Sequence, residues 1–289
     1  MNPSTPGARL RALLSGGDLV TAPGVYDGLG AALVARTGFG AAYLTGAGVS
    51  VAGFGLPDIG LLTATEMVER AGIVADTLGD VPLIADADTG YGEPMNVVRT
   101  VRAYERAGVA AIQLEDQAFP KRCGHLPDKE LVPAERFEAK LRAALDARTD
   151  PDLVLVARTD ARGPLGVDAA IDRANRYARA GADVVFVEAP RSIGEIERIA
   201  REVDAPLLIN MVQGGLTPDT APATLAALGY RIAIHPGALL APYVLHGLDA
   251  LVRLGGTLPE VGAGPQGLFE LVGLSDWSAI GERHREVNV

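Results

Sequence analysis

Short apolar runs alternate with amphipathic stretches along almost the whole chain. Strands are expected at 19–22, 41–45, 82–87, 110–115, 153–158, 183–188, 206–210 and 231–235. Each run is short and rich in Val, Ile, Leu or Ala, with little polar alternation, as in strands buried on both faces. Between them, 65–78, 97–107, 135–147 and 167–180 carry apolar residues at helical spacing. Gly38, Gly108 and Gly181 follow such stretches as stop signals. Pro133 stands just before Ala134-Glu135, where a first helical turn is expected. Eight β-then-α units in roughly 250 residues is the arithmetic of a (β/α)₈ barrel. The competing doubly wound sheet would carry a Gly-x-Gly-x-x-Gly turn after its first strand, and none follows here.

The polar residues sharpen this picture, because they fall at the strand ends. These ends read Thr45-Gly46-Ala47, Asp86-Ala-Asp88, Glu115-Asp116, Arg158-Thr-Asp160, Glu188 and Asn210. Any one of them is explained by a turn or a cap. Six ends sending polar groups to the C-terminal mouth of a barrel point to a site. Asp86 and Asp88 are two residues apart, so on an extended strand both face one side. Paired hard oxygen ligands suit Mg²⁺ or Mn²⁺ better than zinc, with Glu115 completing the shell through water. The competing reading is an Asp-x-Asp turn leading into Thr89-Gly-Tyr-Gly92. Arg158 follows the apolar run 153–156 and needs a buried anion, either Glu188 or a substrate carboxylate.

The stretch from Gln113 to His125 adds a second chemistry. After Glu115 and Asp116, a loop presents Lys121, Arg122, Cys123, Gly124 and His125. Cys123 is the only cysteine, and neighbouring cations give its thiol a route to a lowered pKa. His125 is placed to stabilise a thiolate or to contact a substrate, and His235 to face the same mouth.

Composition then narrows the setting. The 289 residues carry a net charge of −10 with no basic run, which argues against a nucleic-acid partner. No apolar run is long enough to span a bilayer, and Met1-Asn-Pro-Ser4 lacks the marks of a signal peptide. A lone cysteine suits a reducing compartment, so a soluble cytoplasmic protein is expected. Glycines at 255–256 and 262–264 bound a tail whose Phe269, Leu271, Val272, Leu274 and Trp277 are too apolar to stay in solvent. The expected division is a catalytic barrel over 1–262 and a helical extension over 263–289.

Lys121-Arg-Cys-Gly-His125 after Glu115-Asp-Gln117 resembles the signature of the isocitrate lyase/phosphoenolpyruvate mutase superfamily. The resemblance runs from Val20 to about Trp277. It is strongest to the branch of methylisocitrate lyases, dimethylmalate lyases, oxaloacetate hydrolases and carboxyphosphonoenolpyruvate mutases. It implies that Asp86 binds Mg²⁺ directly while Asp88 and Glu115 hold its waters. It also implies that Asp58, otherwise a turn residue, belongs to the site, and that Arg158, Glu188 and Asn210 line the pocket. A homotetramer with C-terminal helices swapped between subunits is implied as well.

These parts fit a retro-aldol (Claisen-type) cleavage of a small 2-hydroxy dicarboxylate such as 2,3-dimethylmalate or 2-methylmalate. A divalent metal and Arg158 would supply positive charge, assisted by backbone N–H groups near Gly46 and Gly124. Cys123 would protonate the enolate, with Glu188 or a water as base, and the Gly124 loop would open and close. A 2-methylisocitrate lyase, a carboxyphosphonoenolpyruvate phosphonomutase, an oxaloacetate hydrolase and a catalytically dead interaction module are the alternatives. Methylisocitrate lyases carry an Arg shortly after the Pro matching Pro236, and Ser-Gly-Gly where this chain has Thr45-Gly-Ala47. Here no cation follows Pro236 until Arg253, which favours a dicarboxylate over a tricarboxylate.

Overall fold

All eight expected strands form, and they close on themselves. The computed structural model describes residues 5–284 and contains β1 (Val20–Val25), β2 (Ala42–Leu44), β3 (Leu83–Asp86) and β4 (Ala111–Glu115). β5 (Val154–Thr159), β6 (Val184–Val187), β7 (Leu207–Asn210) and β8 (Tyr230–His235) follow. Every neighbouring pair is parallel, and β8 returns to β1 through Val20 opposite Ile232. This is a (β/α)₈ barrel. Residues 1–4, with the start of the chain, and 285–289, the end of the expected extension, lie outside the described residues.

The two-residue period of the strands explains both the core and the site. One alternating set packs together inside the barrel: Ile84, Ala111, Val154, Val156, Val184, Phe186, Leu208, Ile232 and Ile234. Continuing that same set by two residues reaches Asp86 on β3, Arg158 on β5, Glu188 just past the end of β6 and Asn210 on β7. The other set packs against the surrounding helices, with Leu83, Ala85, Ile112, Leu114, Leu155 and Ala157 on one side. Val185, Val187, Leu207 and Ile209 do the same on the other. Apolar filling and polar rim are thus one register read to different heights.

The expected helices appear as Ala64–Leu78, Pro94–Arg106, Ala134–Ala147 and Val167–Arg179. Thr63 and Glu66 form a capping box at the first of these. Gly38, Gly108 and Gly181 take φ of +79°, +84° and +108°, the left-handed region glycine tolerates after a helix. An additional helix, Pro6–Ser15, is capped by Thr5 and closes the barrel's bottom with Leu10, Leu13 and Leu14. Gly7 is needed there, because a Cβ would lie 2.4 Å from the Asp152 carbonyl oxygen.

The tail forms helices Gly264–Glu270 and Leu274–Arg283. Phe269 and Leu274 are buried against Leu126 of the cysteine loop, whereas Leu271 and Trp277 keep substantial exposure. In the helix Leu240–Arg253 only Leu240 is buried, leaving Tyr243, Leu245 and Leu251 in solvent.

Asp116 shows the register at work in the opposite sense. It follows Glu115 and so turns away from the mouth. It accepts hydrogen bonds from Thr159 Oγ1 at 2.7 Å, Asp160 N at 2.9 Å, Arg173 Nη1 at 2.9 Å and Tyr177 OH at 2.8 Å. Asp116→Ala leaves the Thr159, Asp160 and Tyr177 donors without this acceptor and Arg173 without its carboxylate, and should cost about 3–5 kcal/mol of stability. Urea unfolding measures this, and a loss below about 1 kcal/mol would show the cluster is dispensable.

Candidate active site

The mouth of the barrel holds a cavity of about 460 Å³. Thr45, Ala47, Asp58, Asp86, Cys123, Gly124, His125, Arg158, Glu188 and Asn210 all line it. Gly46, Asp88 and Glu115 stand just behind this lining: Arg158 Nη1 is 3.2 Å from Glu115 Oε2, and Asp88 N donates to Asp86 Oδ1 at 3.2 Å. Apart from His235, the residues expected at the site are therefore in or directly behind one cavity.

Arg158 is its centre. Its guanidinium forks onto Asp160 through Nε at 2.9 Å and Nη2 at 3.0 Å, and lies 3.4 Å from Glu188 Oε2. The buried anion it needs is thus supplied by the protein three times over. Burial alone would raise Asp160, but Arg158 and Lys129 outweigh it and hold Asp160 below the usual carboxylate range. Glu188 is held from three sides. Ala189 N donates at 2.7 Å, Asn210 Nδ2 donates at 3.1 Å, and Arg158 is the third.

The acids meet by a route other than the expected one. β3 ends at Asp86, and Asp88 lies beyond it with φ of +46°, so a turn rather than strand alternation brings the pair together. Gly46 makes room for Asp86, since a Cβ there would lie 2.8 Å from Asp86 Oδ2. Lys121 bonds Asp58 and lies 2.8 Å from Asp88 Oδ1, close enough for an ion pair though outside hydrogen-bond geometry.

Charge counting tests the site for a metal. Six buried carboxylates (Asp58, Asp86, Asp88, Glu115, Asp160 and Glu188) face three buried cations, Lys121, Lys129 and Arg158. Burial pushes Asp88 up to about 6 despite Lys121, and raises Glu115 well above its ordinary value despite Arg158. Asp88 Oδ1 and Glu115 Oε1 are buried without a hydrogen-bond partner. A divalent cation would relieve this excess, and the all-oxygen donor set suits Mg²⁺ or Mn²⁺. Among the described residues no three His, Cys, Asp or Glu side chains form a compact ligand set. Asp86, Asp88 and Glu115 are the residues that could hold such a cation, and the family resemblance gives Asp86 the direct bond and Asp88 and Glu115 the waters.

Cys123 corrects an expectation. Its thiol is not lowered by the surrounding cations. Burial pushes it up to about 12, and Asp58 adds to the rise, against weaker opposition from Lys121 and Arg158. Lys121 is neutralised by two carboxylates, and Arg122 does not line the cavity. The resting thiol is protonated, as a proton donor requires. His125 is likewise a poor partner for a thiolate. Burial lowers its pKa, and its Nδ1 accepts from Leu216 N at 3.0 Å. Its Nε2 faces Asn210 Nδ2 at 3.4 Å and Glu188 Oε1 at 3.6 Å.

Gly124 also has a role other than swivelling. A Cβ at this position would lie 2.5 Å from both Arg158 Nη2 and Glu188 Cγ, so glycine lets the loop pack down onto the floor. His235 does not line the cavity, whereas the next residue, Pro236, does. Two contributors carry roles that the sequence does not assign. Asp160 is legible only as part of the Arg158-Thr-Asp160 strand end, although its two-residue spacing from Arg158 matches that of Asp86 and Asp88. Lys129, between Asp128 and Glu130, reads as an ordinary solvent lysine.

The outer half of the cavity has a different character. Val212, Pro236, Leu240, Val244, Leu268 and Phe269 form an apolar wall that brings in the tail and the helix Leu240–Arg253.

Comparison with known proteins places this geometry. The family model described as phosphoenolpyruvate phosphomutase matches residues 10–251. The chain belongs to the isocitrate lyase/phosphoenolpyruvate mutase superfamily. Within it, the chain is 50% identical over 231 residues to a 2,3-dimethylmalate lyase of Eubacterium barkeri, covering 80% of each chain. It is 47% identical over 231 residues to a 2-methylisocitrate lyase of Aeropyrum pernix, covering 80% of this chain and 74% of that protein. An oxaloacetate acetylhydrolase solved with the inhibitor 3,3-difluorooxalacetate superposes with a TM-score of 0.85 at 38% identity, covering 97% of each chain.

The raised thiol makes a prediction. Iodoacetamide should label Cys123 slowly at pH 7–8, and the rate should climb through pH 10 without levelling, because only the thiolate reacts. A rate that levels off between about pH 9 and 10 would mean an ordinary exposed thiol, with a pKa of about 8.5.

Proposed function

We propose that the protein is a divalent-metal-dependent carbon–carbon lyase. It cleaves a small, alkyl-substituted 2-hydroxy dicarboxylate of the 2,3-dimethylmalate or 2-methylmalate type to pyruvate and a short carboxylic acid. One observation carries the substrate choice. Every buried cation of the site is already paired on the floor, and the outer wall carries no cation. A third carboxylate there would sit unpaired beside an excess of acids, at a cost of several kcal/mol. Lys121, which might be thought to supply the missing charge, is committed to Asp58 and Asp88. An alkyl group suits the apolar wall instead.

The residues divide the work as follows. Asp86, with Asp88 and Glu115 holding waters, would hold Mg²⁺ (or Mn²⁺), whose positive charge would favour loss of the hydroxyl proton. Thr45, Gly46 and Ala47 offer the polar groups of a first helical turn to a substrate carboxylate. Glu188 is the candidate acceptor of the hydroxyl proton. As the C2–C3 bond breaks, C2 becomes the carbonyl of the oxo acid and the electron pair moves onto C3 and its carboxylate. Arg158 stabilises that charge, and His125 and Asn210 border it. Cys123 then delivers its thiol proton to C3, leaving the short acid. Release of the Glu188 proton to water and reprotonation of the Cys123 thiolate from water restore both groups, so that across the cycle one proton is lost from the hydroxyl and one is gained at carbon.

The barrel over 1–262 would be the catalytic unit and the helical segment over 263–289 an extension. The exposed Tyr243, Leu245, Leu251 and Leu254 support assembly into a homotetramer through that end of the molecule. No described helix is long and apolar enough to cross a membrane, in keeping with a cytoplasmic enzyme.

The deciding experiment compares kcat/KM for 2,3-dimethylmalate, 2-methylmalate, 2-methylisocitrate and oxaloacetate with Mg²⁺ present, and again in excess chelator. The expected result is preference for a methylated malate, lost with chelator. Preference for 2-methylisocitrate would overturn the substrate reading, and oxalate release from oxaloacetate would make the enzyme a hydrolase. Separately, Cys123→Ser should lower kcat by at least ~10²-fold, the lower end for general acid catalysis. Near-normal turnover would route the proton elsewhere.

A further inference from the structure

Lys129 is buried in the middle of an otherwise exposed turn. Pro127, Asp128 and Glu130 face solvent, while the Lys129 side chain keeps only 4% of its surface. Its stem passes Gly163, where an added Cβ would come within 3.3 Å of Lys129 Cε. Its ammonium then donates to the Gly124 carbonyl and, at 3.0 Å, to Asp160 Oδ1. Burying an ammonium is costly unless it gains such partners. Both partners matter. Gly124 is next to Cys123 and lies against Arg158 and Glu188. Asp160 is the carboxylate on which Arg158 forks.

We propose that Lys129 is a positioning residue: the latch that holds the Cys123 loop down on the Arg158–Asp160 pair. The inference rests on the proposed role of Cys123 as proton donor. In the seated loop, one ammonium satisfies a carbonyl of the loop and a carboxylate of the strand end. Displacing the loop separates Lys129 from Asp160, leaving that carboxylate with Arg158 alone and withdrawing the thiol from the floor. Other contacts seat the loop too: Cys123 N donates to Asp58 O at 3.1 Å, and Leu126 packs on Phe269 and Leu274. Neither of these links the loop to the residue that orients Arg158.

Lys129→Met keeps the length of the stem and removes the donor. Two readouts are taken on the intact protein at one pH: the iodoacetamide labelling rate of Cys123 without substrate, and kcat and KM with the preferred substrate. Loss of a hydrogen bond to a charged group is expected to make labelling about tenfold faster or more. The same change should lower kcat about tenfold, with KM within about twofold of the parent. Labelling needs no substrate, so a mistaken substrate assignment leaves that readout intact. Unchanged labelling in a folded variant overturns the latch whatever the activity. If Lys129→Met does not fold, Lys129→Gln, which keeps a donor within reach of one partner, is read in the same way. Failure of both to fold assigns Lys129 to stability alone and also overturns the proposal.

Discussion

Arg158 is buried among carboxylates, and the upper barrel is arranged around that fact. An arginine at the end of a strand inside a barrel is tolerable only with anions close by, and Asp160, Glu115 and Glu188 provide them. Those carboxylates in turn need support. Lys129 and the Asp160 backbone bond to Asp116 fix one of them, and Asn210 and Ala189 N fix another. Loop closure, strand-end geometry and the outward Asp116 cluster are therefore parts of one electrostatic network. Its remaining excess of negative charge is what makes the floor receptive to a divalent cation.

The barrel was legible in the sequence because parallel strands buried on both faces leave an unbroken apolar signature. The period of two then told which strand-end groups share the mouth, and it did so well for Arg158, Glu188 and Asn210. It failed for the Asp86 and Asp88 pair, whose proximity arises from a turn at φ of +46° that no alternation rule anticipates. The helix Pro6–Ser15 was passed over because it precedes the first strand of the repeating pattern.

The thiol shows a different limit. Sequence neighbours suggested a cationic surrounding, yet proximity along a loop does not reveal which charges are already neutralised. Lys121 turns to Asp58 and Asp88, and burial then controls Cys123. Lys129 was hidden for the complementary reason, since its partners lie on another residue of the loop and on a different strand.

The apolar outer wall comes from residues after β7 and in the C-terminal part of the chain, whereas the charged floor comes from β2 to β7 and the loops that follow them. The two have no side chain in common. Mutational drift at Pro236, Leu240 and Val244 can therefore reshape the accepted alkyl group, whereas Leu268 and Phe269 also pack against the Cys123 loop and are bound to its seating. An engineer seeking altered selectivity has the stretch 236–244 to randomise, with the reaction preserved by residues encoded elsewhere.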